Sequence, residues 1–109
     1  MLWMRGRWWK INFMWLREIV WIDKFISKIQ KKHNVTVGEV EEALLSGALF
    51  YRASRGRVKG EDVYVVYGKT QAGRYIFIVL IYKPPMKGLI ISARDMTIKE
   101  KRLYNAKKG

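Results

Sequence analysis

The stretch DVYVVYGKTQAGRYIFIVLIY, residues 62–82, holds two runs of β-branched and aromatic residues separated by a short polar segment. Such runs are typical of β-strands, and the segment Gln71-Ala72-Gly73 between them predicts a tight hairpin turn. The second run is apolar at nearly every position, which predicts a central strand that is covered on both faces. Two adjacent antiparallel strands therefore form the centre of the predicted sheet.

Shorter apolar runs on either side of this hairpin predict three further strands. Residues 18–22 (EIVWI) and 48–52 (ALFYR) precede it, and residues 89–94 (LIISAR) follow it after the turn KPPMKG. Their content of Ile, Leu, Val and aromatic residues is typical of strands. Because the last four strands follow one another directly, we expect them to form an antiparallel meander.

A first helix is predicted directly after the first strand. Four apolar residues recur at the i, i+3, i+4 and i+7 positions that share one helix face: Ile22, Phe25, Ile26 and Ile29. The basic residues 31–33 then complement the helix dipole, and Asn34 is a suitable residue to close the helix.

Two later helices are marked by capping boxes, in which a Thr hydroxyl and a Glu three residues later satisfy each other's backbone N–H groups. Thr36 and Glu39 start the second helix, for which Gly47 is the expected stop, and Thr97 and Glu100 start a last helix that runs to about residue 107. The element order β-α-α-β-β-β-β-α predicts an α+β fold. Two N-terminal helices and one C-terminal helix would pack on the meander within one domain, residues 18–109.

The chain is strongly positive, and its charge is unevenly distributed. It has 22 Lys and Arg against nine Asp and Glu, a net charge of +13, and fourteen of these bases but only four of the acids follow residue 48. Such a field attracts polyanions, above all nucleic acid, although a purely solubilising surface is an alternative.

The composition also excludes several kinds of site. The chain has no Cys and one His, so disulfides, zinc–thiolate sites and multi-His metal sites are excluded. It contains no phosphate-binding glycine loop, no nucleophile elbow and no carboxylate cluster for magnesium. We therefore expect no metal and no cofactor, and the absence of Cys is compatible with a reducing, cytoplasmic location.

The first 17 residues, MLWMRGRWWKINFMWLR, hold four of the five tryptophans and four basic residues without an acid. Basic residues interrupt the segment too often for a transmembrane span, and it lacks the apolar region of a signal peptide. We interpret residues 1–17 as an extension upstream of the domain. Packing over the domain is one alternative, and contact with a membrane surface is another that we favour less.

Two groups of residues resemble the BrnT family of toxins. The first resembles the family's opening: Trp21 and Asp23, then Lys32-His33-Asn34-Val35-Thr36, Glu39 and Glu42-Ala43. The second is similar to its more specific closing motif: IISARDMT at 90–97, followed by Glu100 and Tyr104. Gly73-Arg74 before an apolar strand also fits, and Asn34 stands where the family usually has Gly. The resemblance extends from about Val20 to Lys107.

The resemblance to BrnT toxins implies both a fold and an activity. The implied fold is RelE-like, and the implied activity is that of a type II toxin that cleaves RNA and thereby slows translation. The implied partner is BrnA, an antitoxin of the ribbon-helix-helix type. Operator DNA would be bound only through the toxin–antitoxin complex.

Metal-independent RNA cleavage needs a base for the 2′-hydroxyl, an acid for the 5′-oxygen and cations for the phosphate. The candidate catalytic residues are Arg94, Arg74, Lys32, His33, Glu100 and Tyr104. Arg94 ends a strand before a helix start, where a guanidinium can grip a phosphate, but an ion pair with Glu100 or Asp95 is equally plausible. Arg74 could hold a neighbouring phosphate or end a solvated hairpin.

The four remaining candidates each have a structural alternative. Lys32 and His33 are acid–base candidates because imidazole titrates near neutral pH, whereas a His at a helix end is more often a cap. Glu100 could be a base, but its place in a capping box favours a structural role. Tyr104 could stack a base or donate a proton, and it could equally pack the last helix onto the sheet.

Further basic residues are candidates for binding the nucleic-acid backbone: Arg52, Arg55, Arg57, Lys59 and Lys87. Tyrosines 51, 64, 67 and 75 could offer stacking faces, although core packing is more plausible for the last two. We expect Arg94, Arg74 and Lys32 to converge on one concave face. A noncatalytic RNA- or DNA-binding module is the second function considered, and it is favoured by Tyr64 and Leu89, which stand where relatives often have Arg.

Overall fold

The computed structural model describes residues 16–108. Its elements are β1 (Glu18–Val20), α1 (Asp23–His33), α2 (Val37–Leu45), β2 (Leu49–Ser54), β3 (Val63–Lys69), β4 (Tyr75–Lys83), β5 (Lys87–Asp95) and α3 (Ile98–Lys108). This is the predicted order of elements, and it confirms the α+β fold.

The strands form one sheet in the order β1-β5-β4-β3-β2. Strands β2 to β5 make the predicted antiparallel meander. Strand β1 instead joins the far edge in parallel to β5, with Glu18 opposite Lys87 and Val20 opposite Leu89, so the sheet is mixed. Helices α1 and α2 connect β1, at one edge of the sheet, to β2 at the opposite edge.

Both N-terminal helices cover the same face of the sheet. Strand β4 is central, and Ile76, Ile78 and Leu80 on this face are fully buried in the main core. Side chains on its other face, such as Phe77 and Val79, are only partly buried, because α3 packs only near the start of the strand. The expectation that β4 is covered on both faces is therefore right for one face and only partly right for the other.

The junction between α1 and α2 depends on two local features that the sequence predicts. Asn34 closes α1 in the left-handed conformation, with φ 53° and ψ 41°, which Asn tolerates better than most residues. Asn34 therefore does what Gly would do there. Thr36 Oγ1 accepts from the Glu39 N–H at 3.1 Å, and the Thr36 N–H donates to Glu39 Oε1 at 3.0 Å, so the capping box is present. Gly47 follows α2 with φ 79°, the conformation expected after a helix end.

The Trp/Arg-rich extension lies almost entirely outside the described residues, as does its proposed membrane contact. Its last two residues belong to the described part. The Arg17 N–H donates to the Met86 carbonyl at 2.6 Å, and Leu16 packs against the main core. Within residues 16–108, no helix has the length and apolar character needed to cross a bilayer.

Candidate active site

Arg94, near the end of β5, forms a two-point ion pair with Glu100 in α3. Nη1 lies 2.8 Å from Oε1 and Nη2 lies 3.0 Å from Oε2. Nη1 also donates to the carbonyl of Asp95 at 3.0 Å. The Arg94 side chain remains 34% exposed, and none of the hydrogen bonds found within residues 16–108 uses its Nε. The ion pair expected as the alternative to phosphate binding is present, and it leaves about a third of the Arg94 side chain exposed.

Aromatic rings extend from Arg94 across the sheet. Arg94 Cζ lies 4.2 Å from the ring centroid of Phe77, its cross-strand neighbour. The rings of Phe77 and Tyr67 meet edge to face at 5.3 Å, and those of Tyr67 and Tyr51 at 5.8 Å. Tyr51 is 38% exposed. This aromatic row, Phe77, Tyr67 and Tyr51, thus ends in a ring on which an unpaired base can stack.

The protonation states of two groups beside Arg94 are set by their surroundings. The hydrogen bonds from Arg94 lower the pKa of Glu100, against the opposing effect of burial. Burial, together with the charge of Glu100, raises the pKa of Tyr67. At neutral pH the site therefore presents a guanidinium, a carboxylate acceptor and an un-ionised phenol on one face of the sheet.

Arg74 occupies a different position, at the start of β4. Its Nε and Nη2 donate to the carboxylate of Asp95 at 2.7 and 3.2 Å. Nη1 donates to the Asn34 carbonyl at 2.8 Å and to Glu39 Oε1 at 3.0 Å, and Nη2 also donates to the His33 carbonyl at 3.1 Å. A guanidinium has five N–H donors, and these contacts use all of them. The Arg74 side chain is thus neither free to bind a phosphate nor solvated at the end of the hairpin.

His33 and Lys32 lie at the end of α1, beside the Arg74 network. The charge of His33 contributes to the lowered pKa of Asp95, although the hydrogen bonds from Arg74 are the main cause. His33 is partly buried and Lys32 is exposed. His33 therefore stands near the carboxylate that follows Arg94 in the chain.

The structure does not bring Arg94 and Arg74 to one face. Arg94 is paired with Phe77 on the face opposite the N-terminal helices, whereas Asp95 is paired with Ile76 on the helix face. Neighbouring residues of a strand point to opposite faces, so Arg74, bound to Asp95, lies across the sheet from Arg94. The expected single concave face is wrong for Arg74, and Lys32 belongs to α1, which packs on the same face of the sheet as Arg74 and not on that of Arg94. The two arginines lie at the same end of the sheet, and they are linked through β5, because Arg74 binds Asp95, the residue that follows Arg94.

Tyr104 is a buried residue of α3. It is 5% exposed and packs with Leu49 and Met96, and its ring meets that of Tyr75 edge to face at 5.7 Å. This is the packing role anticipated as an alternative, and it leaves no ring face open for stacking a base. Burial also raises the pKa of Tyr104.

The basic residues expected to bind nucleic acid lie at the other end of the sheet. Arg55, Arg57 and Lys59 follow β2 and are exposed, and Lys87 begins β5. Arg52 pairs with Asp62 at 3.4 Å. The described part of the chain contains no cluster of three or more His, Cys, Asp or Glu suited to a metal ion.

Three residues of these networks were missed as site residues in the sequence. Phe77 was counted only as part of an apolar strand, because its contact with Arg94 depends on the register of two strands. The sequence suggested a capping box for Glu39 and an ion pair with Arg94 for Asp95. In the structure the carboxylates of both residues bind Arg74. The ion pair of Arg94 with Glu100, in contrast, was one of the two roles that the sequence offered for Arg94.

Comparison with known proteins finds similarity both in sequence and in fold. The profile of a family described as "Ribonuclease toxin, BrnT, of type II toxin-antitoxin system" matches residues 23–100. The crystal structure of the Brucella abortus ribonuclease toxin BrnT is similar with a TM-score of 0.54, over 73% of this chain and 96% of that one, at 16% identity. At that identity the likeness concerns the fold alone. No curated protein matches the sequence significantly.

Proposed function

This chain belongs to the BrnT family of ribonuclease toxins of type II toxin–antitoxin systems, and we propose that it is a metal-independent endoribonuclease that inhibits translation by cutting RNA. The family match ends at Glu100 and so includes the whole Arg94–Glu100 pair. That pair, at one end of an aromatic row whose other end, Tyr51, is exposed, is the observation on which the proposal rests. It joins a cation, a base and a stacking surface on one face.

The proposed reaction uses the 2′-hydroxyl of the RNA as its nucleophile. The 2′-oxygen attacks the adjacent phosphorus while the bond from phosphorus to the 5′-oxygen breaks. The products are a 2′,3′-cyclic phosphate and a free 5′-hydroxyl. One proton leaves the 2′-oxygen and one reaches the 5′-oxygen, so the step is balanced by an acid and a base alone.

In this proposal, substrate binding activates the base. A phosphate held by Arg94 competes with Glu100 for the same N–H donors. Because those donors are the main cause of the low pKa of Glu100, their transfer to the phosphate makes the carboxylate more basic when the substrate arrives. Glu100 then takes the 2′-hydroxyl proton, Arg94 stabilises the growing charge on the phosphate, and the phenol of Tyr67 protonates the 5′-oxygen.

The other candidate residues receive supporting roles. Lys32 and His33, at the end of α1, are the second choice for proton transfer, because the charge of His33 acts on Asp95, the residue next to Arg94 in β5. Arg74 positions the end of β5 through Asp95. Tyr104 packs α3, which contains Glu100, onto the sheet.

Membership of a type II system implies an antitoxin as partner. We propose that it is of the BrnA-like ribbon-helix-helix type and that the complex, rather than the toxin alone, binds operator DNA. A net charge of +13 supports an acidic partner. We also place the activity in the cytoplasm, where translated RNA is found.

The test is RNA cleavage by the purified chain in EDTA. We expect fragments with 2′,3′-cyclic phosphate ends, and a loss of about 100-fold or more in kcat/KM for Arg94→Ala, the scale of removing one group that stabilises a transition-state charge. Glu100→Gln should lose a similar factor. Arg102→Ala, which removes an exposed cation of the same helix, should cleave normally. RNA that stays intact, or is cut only with added magnesium, would contradict the proposal.

A noncatalytic nucleic-acid-binding module is the second candidate, and a specific observation favours it. Glu100 already neutralises Arg94, whereas Arg55, Arg57 and Lys59 are exposed. In that case the chain would bind RNA with a steep salt dependence and no cleavage. Arg94→Ala would then weaken binding slightly and change nothing else.

A further inference from the structure

Two hairpin tips meet at the end of the sheet that is remote from Arg94. They are the β2–β3 connection, residues 55–62, and the β4–β5 connection, residues 84–86. The Tyr82 N–H donates to the Asp62 carbonyl at 2.9 Å, and Lys83 Nζ lies 2.8 Å from Glu61 Oε1. The tips therefore form one surface.

The longer tip is held in a defined shape by Asp62. Its carboxylate accepts from the Gly56 N–H at 3.3 Å and from Arg52 Nη1 at 3.4 Å. The Glu61 N–H donates to the Val58 carbonyl at 3.0 Å. A Cβ at position 56 would lie only 1.7 Å from the Glu61 carbonyl oxygen, so the loop closes so tightly that only Gly fits there.

The cations of this loop have no acid left to neutralise them. Glu61 and Asp62, the acids of the loop, pair with Lys83 and Arg52. No ion pair found within residues 16–108 involves Arg55, Arg57 or Lys59. Lys87 adds a further charge to this surface. It pairs across β4 and β5 with Lys83, the residue that binds Glu61 of the loop. We call Arg55, Arg57, Lys59 and Lys87 the distal patch.

The distal patch lies well away from the candidate active site. Lys87 and Arg94 are seven residues apart on β5, and a strand rises about 3.3 Å per residue, so the separation is about 23 Å. Stacked nucleotides of one strand are spaced by about 3.4 Å. A single strand bound at Arg94 therefore reaches the distal patch only if it continues for roughly six or seven nucleotides when stacked, or fewer when extended.

We propose that the distal patch is a second phosphate-binding subsite, which holds the same unpaired RNA strand that occupies the Arg94 site. This inference rests on the proposed function. Arg guanidinium and Lys ammonium groups bind phosphates, and three of the four lie on a loop whose shape is held by the hydrogen bonds of Asp62. The subsite makes affinity depend on RNA length, because only longer strands engage both ends of the sheet.

The experiment measures binding of 2′-O-methyl RNA, which has no free 2′-hydroxyl and stays uncut. Fluorescence anisotropy compares strands of about 4 and about 12 nucleotides, lengths on either side of the estimated separation. The variants are Arg55→Ala/Arg57→Ala/Lys59→Ala and a control, Lys24→Ala/Lys28→Ala/Lys31→Ala. The control removes the same charge from exposed positions of α1, which packs on the other face of the sheet.

For wild type and control, we expect the longer strand to bind at least about tenfold tighter than the shorter one, in line with several added phosphate contacts. The loop variant should lose this difference and bind the shorter strand normally. Its salt slope should fall by about 2, since each contact with a single strand contributes about 0.7.

Three outcomes separate the alternatives. Equal weakening of the longer strand in both triple variants would show a general charge effect and overturn the subsite. Normal RNA binding by the loop variant with lost binding to the antitoxin would assign the patch to the protein partner and also overturn it. The third outcome is that the loop variant loses the length-dependent binding while the wild-type chain cuts no RNA. That result would support the subsite and contradict only the proposed catalysis.

Discussion

Arg74, directly before β4, and Asp95, at the end of β5, form a two-point ion pair, with Nε 2.7 Å from Oδ1 and Nη2 3.2 Å from Oδ2. The same guanidinium also binds the carbonyls of His33 and Asn34 and the carboxylate of Glu39. One side chain thus joins β4, β5 and the α1–α2 junction. Its position between these three parts of the fold explains why Arg74 stabilises the fold instead of binding a ligand.

Replacing Arg74 should therefore destabilise the protein. We expect Arg74→Ala to lower the free energy of unfolding by about 2 kcal/mol, because hydrogen bonds to charged groups are lost and the partly exposed site screens their charge. Arg74→Lys should lose part of this, since an ammonium cannot reproduce the fork. Urea unfolding measures the change, and Arg102→Ala is the control. Equal stability of Arg74→Ala and Arg102→Ala would refute this role.

Stability should also fall in acid, because three paired carboxylates have depressed pKa values. Hydrogen bonds lower the pKa of Asp95 and Glu100, chiefly from Arg74 and Arg94, and that of Glu39, chiefly from the Thr36 backbone. A group with a lowered folded-state pKa contributes stability above its unfolded value and loses it as pH falls through the folded value. The free energy of unfolding should thus stay level from neutral pH until the ordinary values of 4.5 and 3.8 are approached, and then decline.

Urea midpoints at a series of pH values test this dependence. Asp95→Asn and Glu100→Gln remove the titrating groups, so each variant should start less stable and show a shallower decline in acid. A wild-type midpoint that stays constant as the pH falls well below the ordinary carboxylate range would contradict the prediction.

The features that the sequence predicted well are local. Both capping boxes join residues three apart, so the residue pattern alone is enough to locate the start of a helix. Asn34 could likewise be assigned to a helix end from its neighbours alone. The α+β order follows from a succession of such local segments.

The features that the sequence did not predict depend on register and on distant pairing. Arg74 binds groups 35 to 41 positions before it and one 21 after it, and no short pattern encodes such contacts. The contact of Phe77 with Arg94 requires the exact pairing of β4 and β5. Strand β1 is three residues long and joins the last strand in sequence, so neither its partner nor its direction is visible in its composition.

Tyr104 offers a test that separates packing from catalysis. Tyr104→Phe keeps the ring that meets Tyr75 at 5.7 Å, so we expect cleavage within about threefold of wild type and a stability loss of about 1 kcal/mol for the hydroxyl. Tyr104→Ala should cost about 3 kcal/mol or more through the cavity it leaves. A folded Tyr104→Phe variant without cleavage activity would instead assign the hydroxyl to the reaction.

Tyr51 should act through its ring face. It is the exposed end of the aromatic row, and stacking of a base on such a ring contributes about 1–3 kcal/mol. We expect Tyr51→Ala to raise KM for RNA by roughly tenfold at unchanged kcat, and Tyr51→Phe to resemble wild type, because the phenyl ring preserves stacking. A fall in kcat without a change in KM would indicate that Tyr51 takes part in the chemical step.

Truncation from the N-terminus tests where the folded domain begins. We propose that residues 1–13 are not required for folding of the domain. Residues 16 and 17 do contact it, because Leu16 packs against the main core and the Arg17 N–H donates to the Met86 carbonyl. Deleting residues 1–13 should change the free energy of unfolding by less than about 0.5 kcal/mol, as surface changes do. Deleting residues 1–17 should lower it by about 2 kcal/mol, since a Leu contact and a hydrogen bond are lost. If the shorter deletion already unfolds the chain or abolishes cleavage, the Trp-rich segment is part of the working domain.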